Sequence, residues 1–315
     1  MRFIPLLLCL FSCSSTPQLT ELDFRESDGS LTLFWQNRPV LSYQVSVASP
    51  PEGNPACYER SGFFHPVYTP SGQIVTDGFP EGHMHQHGWF YAFTKTTYRD
   101  SMIDFWNQAK LLGNVQLRSL DSTSVRGNRA DLYATLDHVS TSFGPILEEQ
   151  IHVTVIPGAS FHQVMWKSTV VNRSVDTLFV EDYLYGGLGM RGAASWNDAD
   201  TVHFLDTARF LTSQGLSRKE ANHSRPLWAT MFGTFESGTG GFAAFDHPDN
   251  FQSPQPIRVH PEMPYFCMAP MVGHPFFLAP NEPLQLQYLL ITFDGEPDVA
   301  VLDSLAVEVG KTKDE

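Results

Sequence analysis

Residues 150–158 read Gln-Ile-His-Val-Thr-Val-Ile-Pro-Gly, and this short run is the best single indication of the fold class. Polar and apolar side chains alternate with a period of two, which is typical of a β-strand with one buried face. The Pro-Gly pair interrupts this pattern and predicts a turn. We therefore expect one strand to end at Ile156 and another to begin near Phe161.

The same alternation recurs along the chain. Residues 31–35 and 39–47 predict a hairpin, residues 161–171 and 175–184 predict a strand pair around Asn172-Arg173-Ser174, and residues 284–293 predict a long late strand. One helix is predicted at the C-terminal end, opened by Pro297, with an apolar stripe of Val299, Leu302, Leu305, Ala306 and Val309. The pattern predicts an all-β protein, a large antiparallel β-sandwich with one C-terminal helix. No linker or repeat divides it, so we expect a single domain over residues 26–315.

The first residues resemble a bacterial lipoprotein signal. Met1-Arg2 precedes an apolar run over residues 4–11, and Ser12 stands directly before Cys13. This predicts a signal peptide over residues 1–12, a lipid on Cys13 and a tether over residues 13–25, because the run is shorter than the roughly 20 residues that span a bilayer. An ordinary cleaved secretory signal is the alternative. Either way we expect an exported protein of the cell envelope, in the periplasm or on the outer membrane of a Gram-negative bacterium. If Cys13 is lipidated, we expect the lipid to be its only contact with the membrane.

The composition of the chain limits the classes of ligand that we expect and leaves two possible states for its cysteines. The formal net charge of -14 argues against nucleic acid and favours neutral or cationic small molecules. Cys57 and Cys267 remain after Cys13; they either form one disulfide or stay as two free thiols. Aromatic residues make up 13% of the chain, which suits stacking on sugars and also suits a β core.

Residues 77–90 read Asp-Gly-Phe-Pro-Glu-Gly-His-Met-His-Gln-His-Gly-Trp-Phe and place three of the chain's 12 histidines within five residues. In an extended strand His83, His85 and His87 would share a face. Two of them could bind a metal ion with a third ligand such as Glu181 or His247. A metal-free site for proton transfer or hydrogen bonding is the preferred interpretation, and a purely structural role is the third.

Four other segments mix polar, aromatic and turn residues in a way that a core does not require. They are residues 60–72 with Arg60 and His65, residues 104–106 with Trp106, residues 181–191 with Glu181, Tyr185 and Arg191, and residues 245–250 with His247 and Asn250, followed by Arg258 and His260. We expect them to meet in one site, since a pocket built from loops collects residues from several strands.

Taken together, these segments resemble the PmoA family of bacterial, often exported proteins. The match lies in Arg-x-x-x-x-His-Pro-x-Tyr-x-Pro-Ser-Gly, Gly-His-x-His-x-x-Gly, Asp-Phe-Trp, Gly-Gly-Leu-Gly-x-Arg and Phe-Asp-His-Pro-Asp-Asn, over roughly residues 55–295. The resemblance implies a supersandwich related to galactose mutarotase and a carbohydrate-active protein. It does not imply methane oxidation, because this chain lacks the membrane spans of the subunit whose name the family shares. Gln86 and His87 depart from the family's His-His-Arg pattern, whereas His83 and His85 match it.

The resulting hypothesis is acid–base chemistry on a sugar of epimerase, lyase or hydrolase type, without a required cofactor. His83 or His85 would act as the acid, Glu181 or Asp182 as the base, and His247 as a further catalytic candidate. Substrate contacts would come from Arg60, His65, Trp106, Tyr185, Arg191 and Asn250, with Trp106 stacking on the sugar. The expected ligand is a small molecule or oligosaccharide. The alternative is a non-catalytic surface lipoprotein that binds sugar or a partner protein.

Overall fold

The computed structural model describes residues 22–197 and 208–311. Its strands are β1 (Leu22–Ser27), β2 (Ser30–Trp35), β3 (Arg38–Gln44), β4 (Phe64–Val67), β5 (Trp89–Ala92), β6 (Thr96–Tyr98), β7 (Ser101–Ile103), β8 (Gly113–Arg126), β9 (Arg129–Ser140), β10 (Gly144–Ile156), β11 (Phe161–Asn172), β12 (Leu178–Val180), β13 (Gly187–Arg191), β14 (Arg209–Thr212), β15 (Trp228–Phe235), β16 (Gly238–Asp246), β17 (Ile257–Val259), β18 (Tyr265–Met268), β19 (Phe276–Leu278) and β20 (Pro283–Asp294). The helices are α1 (Arg218–Ala221) and α2 (Val299–Val309). Cys13 and the signal peptide predicted over residues 1–12 lie outside the described residues.

The strands form two eight-stranded sheets and one four-stranded sheet, and neighbouring strands in each run antiparallel. The first sheet has the order β1-β2-β3-β4-β5-β13-β18-β17, the second β14-β15-β16-β20-β11-β10-β9-β8, and the third β19-β12-β6-β7. The two large sheets pack face to face: Phe64 of β4 lies 5.3 Å from Trp166 of β11, and Trp89 of β5 lies 5.8 Å from Phe242 of β16, between ring centroids. This confirms the predicted all-β, antiparallel sandwich.

Local patterning explains the strands that were predicted. Ile151, Val153 and Val155 of β10 are buried, whereas Gln150, His152 and Ile156 are more exposed, as the period of two requires; Thr154 is the exception and is also buried. The β2–β3 hairpin is confirmed, with Gln36 and Asn37 both at positive φ in the turn. β1 pairs with β2 from Leu22 onward, so residues 22–25 belong to the sheet rather than to the tether predicted over residues 13–25.

The strand pair predicted for residues 161–171 and 175–184 is wrong. β11 instead lies between β10 and β20, so both of its edges are already hydrogen-bonded. Only Leu178–Val180 is a strand in the second segment, and it pairs with β6 and β19 in the small sheet. The side chain of Asn172 donates to the carbonyl oxygens of Asp176 and Leu278, both at 2.8 Å, which fixes this change of sheet.

The predicted C-terminal helix is confirmed as α2. Asp298 caps it by accepting from the amides of Ala300 and Val301, and Pro297 stands just before the cap. Its apolar stripe packs on the second sheet in a cluster with Trp228, Phe245 and Leu289. Within the described ranges, no helix is long and apolar enough to cross a membrane. Cys57 and Cys267 are free thiols rather than a disulfide.

Candidate functional site

The segment with three histidines is a loop between β4 and β5, not the extended strand considered from the sequence. The amide of His83 donates to the Pro80 carbonyl at 3.0 Å, and the amide of Gln86 donates to the His83 carbonyl at 2.9 Å. These two successive turns bring the rings of His83 and His85 to 5.8 Å between centroids. They also direct His87 away from the other two.

His87 is part of the core. Its Nδ1 lies 3.1 Å from the Gly78 carbonyl oxygen and its Nε2 lies 2.7 Å from Oε1 of Gln108. The ring packs among Phe63, Phe79 and Phe90 and has no exposed surface. Burial holds the pKa of His87 well below its usual value. His87 therefore anchors the loop, and this role needs no ligand.

His260 completes the cluster of imidazoles formed by His83, His85 and His260, which we call the histidine cluster. The ring of His260 lies 5.6 Å from that of His83, at a steep angle of 78°. Its Nδ1 accepts from the amides of Glu262 and Met263, at 3.2 and 2.9 Å, so the proton of the neutral ring is on Nε2. From the sequence, His260 was noted only downstream of the segment at residues 245–250 and was not assigned a catalytic or binding role. The structure joins it to the loop because β17 and β18 lie beside β13 in the first sheet.

All three rings are held in the neutral form near pH 7. Burial lowers the pKa of His85 to about 4, and the neighbouring His83 acts in the same direction. Burial likewise lowers the pKa of His260 to about 4. The pKa of His83 is also lowered, by burial and by the charge of Arg191. His83 and His85 therefore each carry an unprotonated ring nitrogen that can accept a proton or a hydrogen bond, whereas the free nitrogen of His260 is the Nε2–H donor.

Arg191, the last residue of β13, lies beside the histidine cluster with its side chain fully buried. Its Nη1 donates to Oε1 of Gln86 at 2.9 Å and lies 3.6 Å from the sulfur of Met263. Burial lowers the pKa of Arg191 to about 10, and the charge of Asp77 opposes this change. Burial raises the pKa of Asp77 in turn. Gln86, which departs from the family pattern, is thus the side chain that holds Arg191.

The Asp-Phe-Trp segment forms a second wall next to these residues. Oδ1 of Asp104 accepts from the amides of Trp106 and Asn107, and Oδ2 accepts from the side chains of Asn107 and Lys110, the last at 2.7 Å. The hydroxyl of Tyr185 donates to Asn107 at 2.9 Å. Trp106 packs 4.4 Å from Phe90 and 5.7 Å from Tyr185, between ring centroids. Its ring is fully buried, so it offers no open face for a sugar in this structure.

Arg60 precedes β4 and forms an isolated bridge with Ala48, whereas His65 lies in β4 of the first sheet. Nη2 of Arg60 donates to the Tyr91 carbonyl at 3.0 Å, and its guanidinium stands 4.9 Å from the centroid of the Phe90 ring. Nδ1 of His65 lies 2.9 Å from the hydroxyl of Thr76. Burial lowers the pKa of His65 to about 4.

The remaining predicted residues are on other elements. Glu181 follows β12 of the small sheet and accepts from the hydroxyl of Thr97 at 2.9 Å. His247 follows β16 of the second sheet. Asn250, three residues later, donates to Asp246 and to the Gln287 carbonyl and accepts from the Gln287 amide, all at 2.7 Å. Asn250 therefore joins its loop to β20. The structure thus brings His83, His85 and Arg191 together, with Trp106 and Tyr185 in the adjoining wall.

Two further observations concern the site's surroundings. Across the described ranges, no group of three or more histidine, cysteine or acidic side chains is arranged to hold a metal ion. A separate cavity of about 290 Å³ is lined by residues that include Trp35, Arg38, His162 and Asp294. It contains none of the predicted site residues.

The fold and the site define an antiparallel β-sandwich with a polar, histidine-rich loop cluster on one sheet. The chain belongs to a family of unknown function, DUF6807, whose sequence profile matches residues 30–307. The finer resemblance to the PmoA family stays a prediction. Among curated proteins, none matches the chain.

Solved structures similar to the chain include sugar-related enzymes and their relatives. A GH36 α-galactosidase from Geobacillus stearothermophilus is 9% identical, with a TM-score of 0.36 over 87% of this chain and 41% of its own. A galactose mutarotase related enzyme from Lactobacillus acidophilus is 7% identical, with a TM-score of 0.41 over 88% of this chain and 99% of its own. A galactose mutarotase-like protein from Clostridium acetobutylicum is 10% identical, with a TM-score of 0.35 over 87% and 95%. The chain thus spans about two fifths of the α-galactosidase.

Proposed function

We propose that the protein performs proton transfer on a sugar at the histidine cluster. The observation that carries this proposal is the meeting of three neutral, partly accessible imidazoles beside the buried guanidinium of Arg191. Neutral imidazole is a proton acceptor, and positioned acid–base groups are what reactions at a hemiacetal or keto carbon require. Nothing in this proposal depends on a metal ion or another cofactor.

The proton-transfer groups in the proposal are His85 and Asp77. Of His83 and His85, the two loop histidines in the histidine cluster, His85 has the pKa that burial lowers to about 4, and the charges of Asp104 and Arg191 also act on it. Asp77 replaces Glu181 as the carboxyl group, because Asp77 acts on the charge of Arg191 whereas Glu181 bonds to Thr97 in the small sheet. In this scheme His85 takes a proton from the sugar and returns it at the end of the turnover, with Asp77 as the neighbouring carboxyl group, so that no net proton is consumed.

The test is incubation of the mature protein in D₂O with a panel of glycosides, keto-sugars and uronides, read by mass spectrometry. We expect deuterium incorporation or product with at least one sugar, and a loss of about 10²–10⁴-fold in rate for His85→Ala. His162→Ala is the matched control, because burial lowers the pKa of His162 to about 4 as well, yet it lines the separate cavity. A panel without turnover, or a His85→Ala variant as active as the wild type, would contradict the catalytic proposal. Sugar binding without turnover would support the non-catalytic alternative.

We also propose that the protein is exported and held at the cell envelope by a lipid on Cys13. The support is the apolar run followed by Ser12-Cys13 in the sequence. Cys13→Ala is expected to move the protein from the membrane fraction to the soluble fraction in cell fractionation. A variant that still sediments with membranes like the wild type would contradict the anchor.

A further inference from the structure

We infer that the ligand of this site carries a carboxylate, as a uronic acid does, and that one edge of Arg191 binds it. This inference rests on the proposed function in taking the ligand to be a sugar. It goes further in naming a charged group and the atoms that recognise it.

The first step is the state of the guanidinium. Nε and Nη2 of Arg191 are both buried and have no hydrogen-bond partner among the described residues, whereas Nη1 is bound to Gln86. Nε and Nη2 lie along the same edge of the planar group. Their two N–H bonds run side by side, which is the arrangement that binds both oxygens of a carboxylate at once.

The second step is that this edge is held in place. Gln86 fixes the opposite end of the guanidinium, and the amide of Gln86 is itself bonded to the His83 carbonyl. The amide of Arg191 donates to the Gly88 carbonyl at 2.8 Å, so both ends of the residue are tied to the histidine loop. A buried donor pair without partners costs free energy, and it therefore indicates a group that arrives from outside.

The third step is the balance of donors and acceptors around that edge. Nε1 of Trp106 is another buried donor without a partner. The nearby carboxylate of Asp104 already accepts four hydrogen bonds. Among the described residues, Asp77 is the acidic group whose charge acts on Arg191, and burial favours its neutral form. Nε and Nη2 of Arg191 thus lack a carboxylate partner among the described residues, which favours an anionic ligand with acceptor oxygens.

The fourth step reconciles this local charge with the whole chain. The net charge of -14 disfavours anions at long range, and from the sequence it favoured neutral or cationic ligands. That field is screened beyond about 8 Å at physiological ionic strength, whereas a buried guanidinium acts by direct contact. A small sugar acid is therefore compatible with the chain, and an anionic polymer is not favoured.

Access requires a movement of the loop. Arg191 is covered in this structure, and the tip of the loop above it is formed by Glu81 and Gly82, which are exposed. Gly82 has a φ of +72° with open space around it. We assign this movement to the turn at residues 80–83, whose Glu81 and Gly82 are exposed, since the turn at residues 83–86 also holds Gln86.

The experiment compares matched ligands by isothermal titration of the mature wild-type protein. The ligands are galacturonate and glucuronate, their uncharged amides, galactose, glucose and glucose 6-phosphate. We expect at least tenfold tighter binding of one uronate than of its amide, which has almost the same shape. Equal binding of uronate and amide would mean that internal water satisfies the edge, and it would overturn the inference. Tighter binding of the sugar phosphate than of either uronate would overturn the assignment to a carboxylate.

Variants assign the effect to Arg191. Arg191→Lys keeps the charge but removes the two-nitrogen edge, and we expect it to lose about 10–100-fold in uronate affinity. Arg126→Gln, on the exposed end of β8, is the control and should bind as the wild type does. If Arg191→Lys fails to fold, the wild-type comparison of uronate with amide still decides. Turnover of neutral sugars without uronate preference would refute this inference alone, and uronate binding without turnover would refute only the catalytic proposal.

Discussion

At the scale of single residues, the surroundings of a histidine in the fold, more than its position in the sequence, distinguish a structural role from a functional one. His83, His85 and His87 occupy alternate positions in the sequence. Both ring nitrogens of His87 are hydrogen-bonded in the core, whereas His83 and His85 belong to the histidine cluster. His65 and His162, outside that cluster, are also largely buried, and burial lowers the pKa of each to about 4. A lowered pKa alone therefore does not mark a functional histidine here; the grouping with His260 and Arg191 does.

These lowered pKa values predict a loss of stability in acid. Between pH 6.5 and about 4 the unfolded chain binds protons that the folded histidines exclude, so the free energy of unfolding should decrease as the pH falls through this window. The raised pKa values of Asp77 and Asp246 act in the opposite sense. Four histidines have a pKa lowered to about 4: His65, His85, His162 and His260. His162→Gln removes one of them and should make the decrease in the free energy of unfolding smaller. Urea unfolding at pH 7, 5.5 and 4.5 measures it, and equal pH dependence in variant and wild type would contradict the prediction.

At the scale of elements, the turn residues in the loop after β16 stabilise the second sheet by hydrogen bonds to its strands. Asn250 was predicted to hold a substrate hydroxyl, but its side chain makes three hydrogen bonds, to Asp246 and to both backbone groups of Gln287 in β20. Asp246 in turn accepts from the amide of Gln255 at 3.0 Å. The loop is thereby fastened across the end of two neighbouring strands.

Asn250→Ala should therefore destabilise the protein. The change removes the three hydrogen bonds that the Asn250 side chain makes to Asp246 and to the backbone of Gln287, which costs about 2–4 kcal/mol in the free energy of unfolding. Chemical denaturation measures it, with Asn128→Ala in the exposed β8–β9 turn as the control of no more than about 0.5 kcal/mol. An unchanged stability together with weaker sugar binding would instead support the ligand contact predicted from the sequence.

At the scale of the whole molecule, what could be predicted depended on the range of the interactions. The alternation in β10, β11 and β20 is local and was read correctly, as was the apolar stripe of α2. The partner of β11 was not, because β20 lies more than 100 residues further along the chain. The same holds for the site: the histidine loop stood out by composition, whereas His260 joins it only through the order of β13, β18 and β17. The alternation of polar and apolar residues indicates which side chains of a segment are buried. It does not indicate which distant segment of the chain packs against them.

The position of β20 has a consequence for how the protein is made. It lies between β16 and β11 in the second sheet, and its end also binds the loop that follows β4: Asp294 accepts from Ser71, and Thr292 donates to the Tyr68 carbonyl. A nascent chain that still lacks residues 283–294 leaves one edge of β16 and one edge of β11 unpaired. Unpaired strand edges can pair with other chains. Residues up to 294 must therefore be synthesised before the second sheet can be completed and the sandwich can close. A transcript cut short anywhere upstream of β20 would yield an aggregating product rather than a smaller working protein.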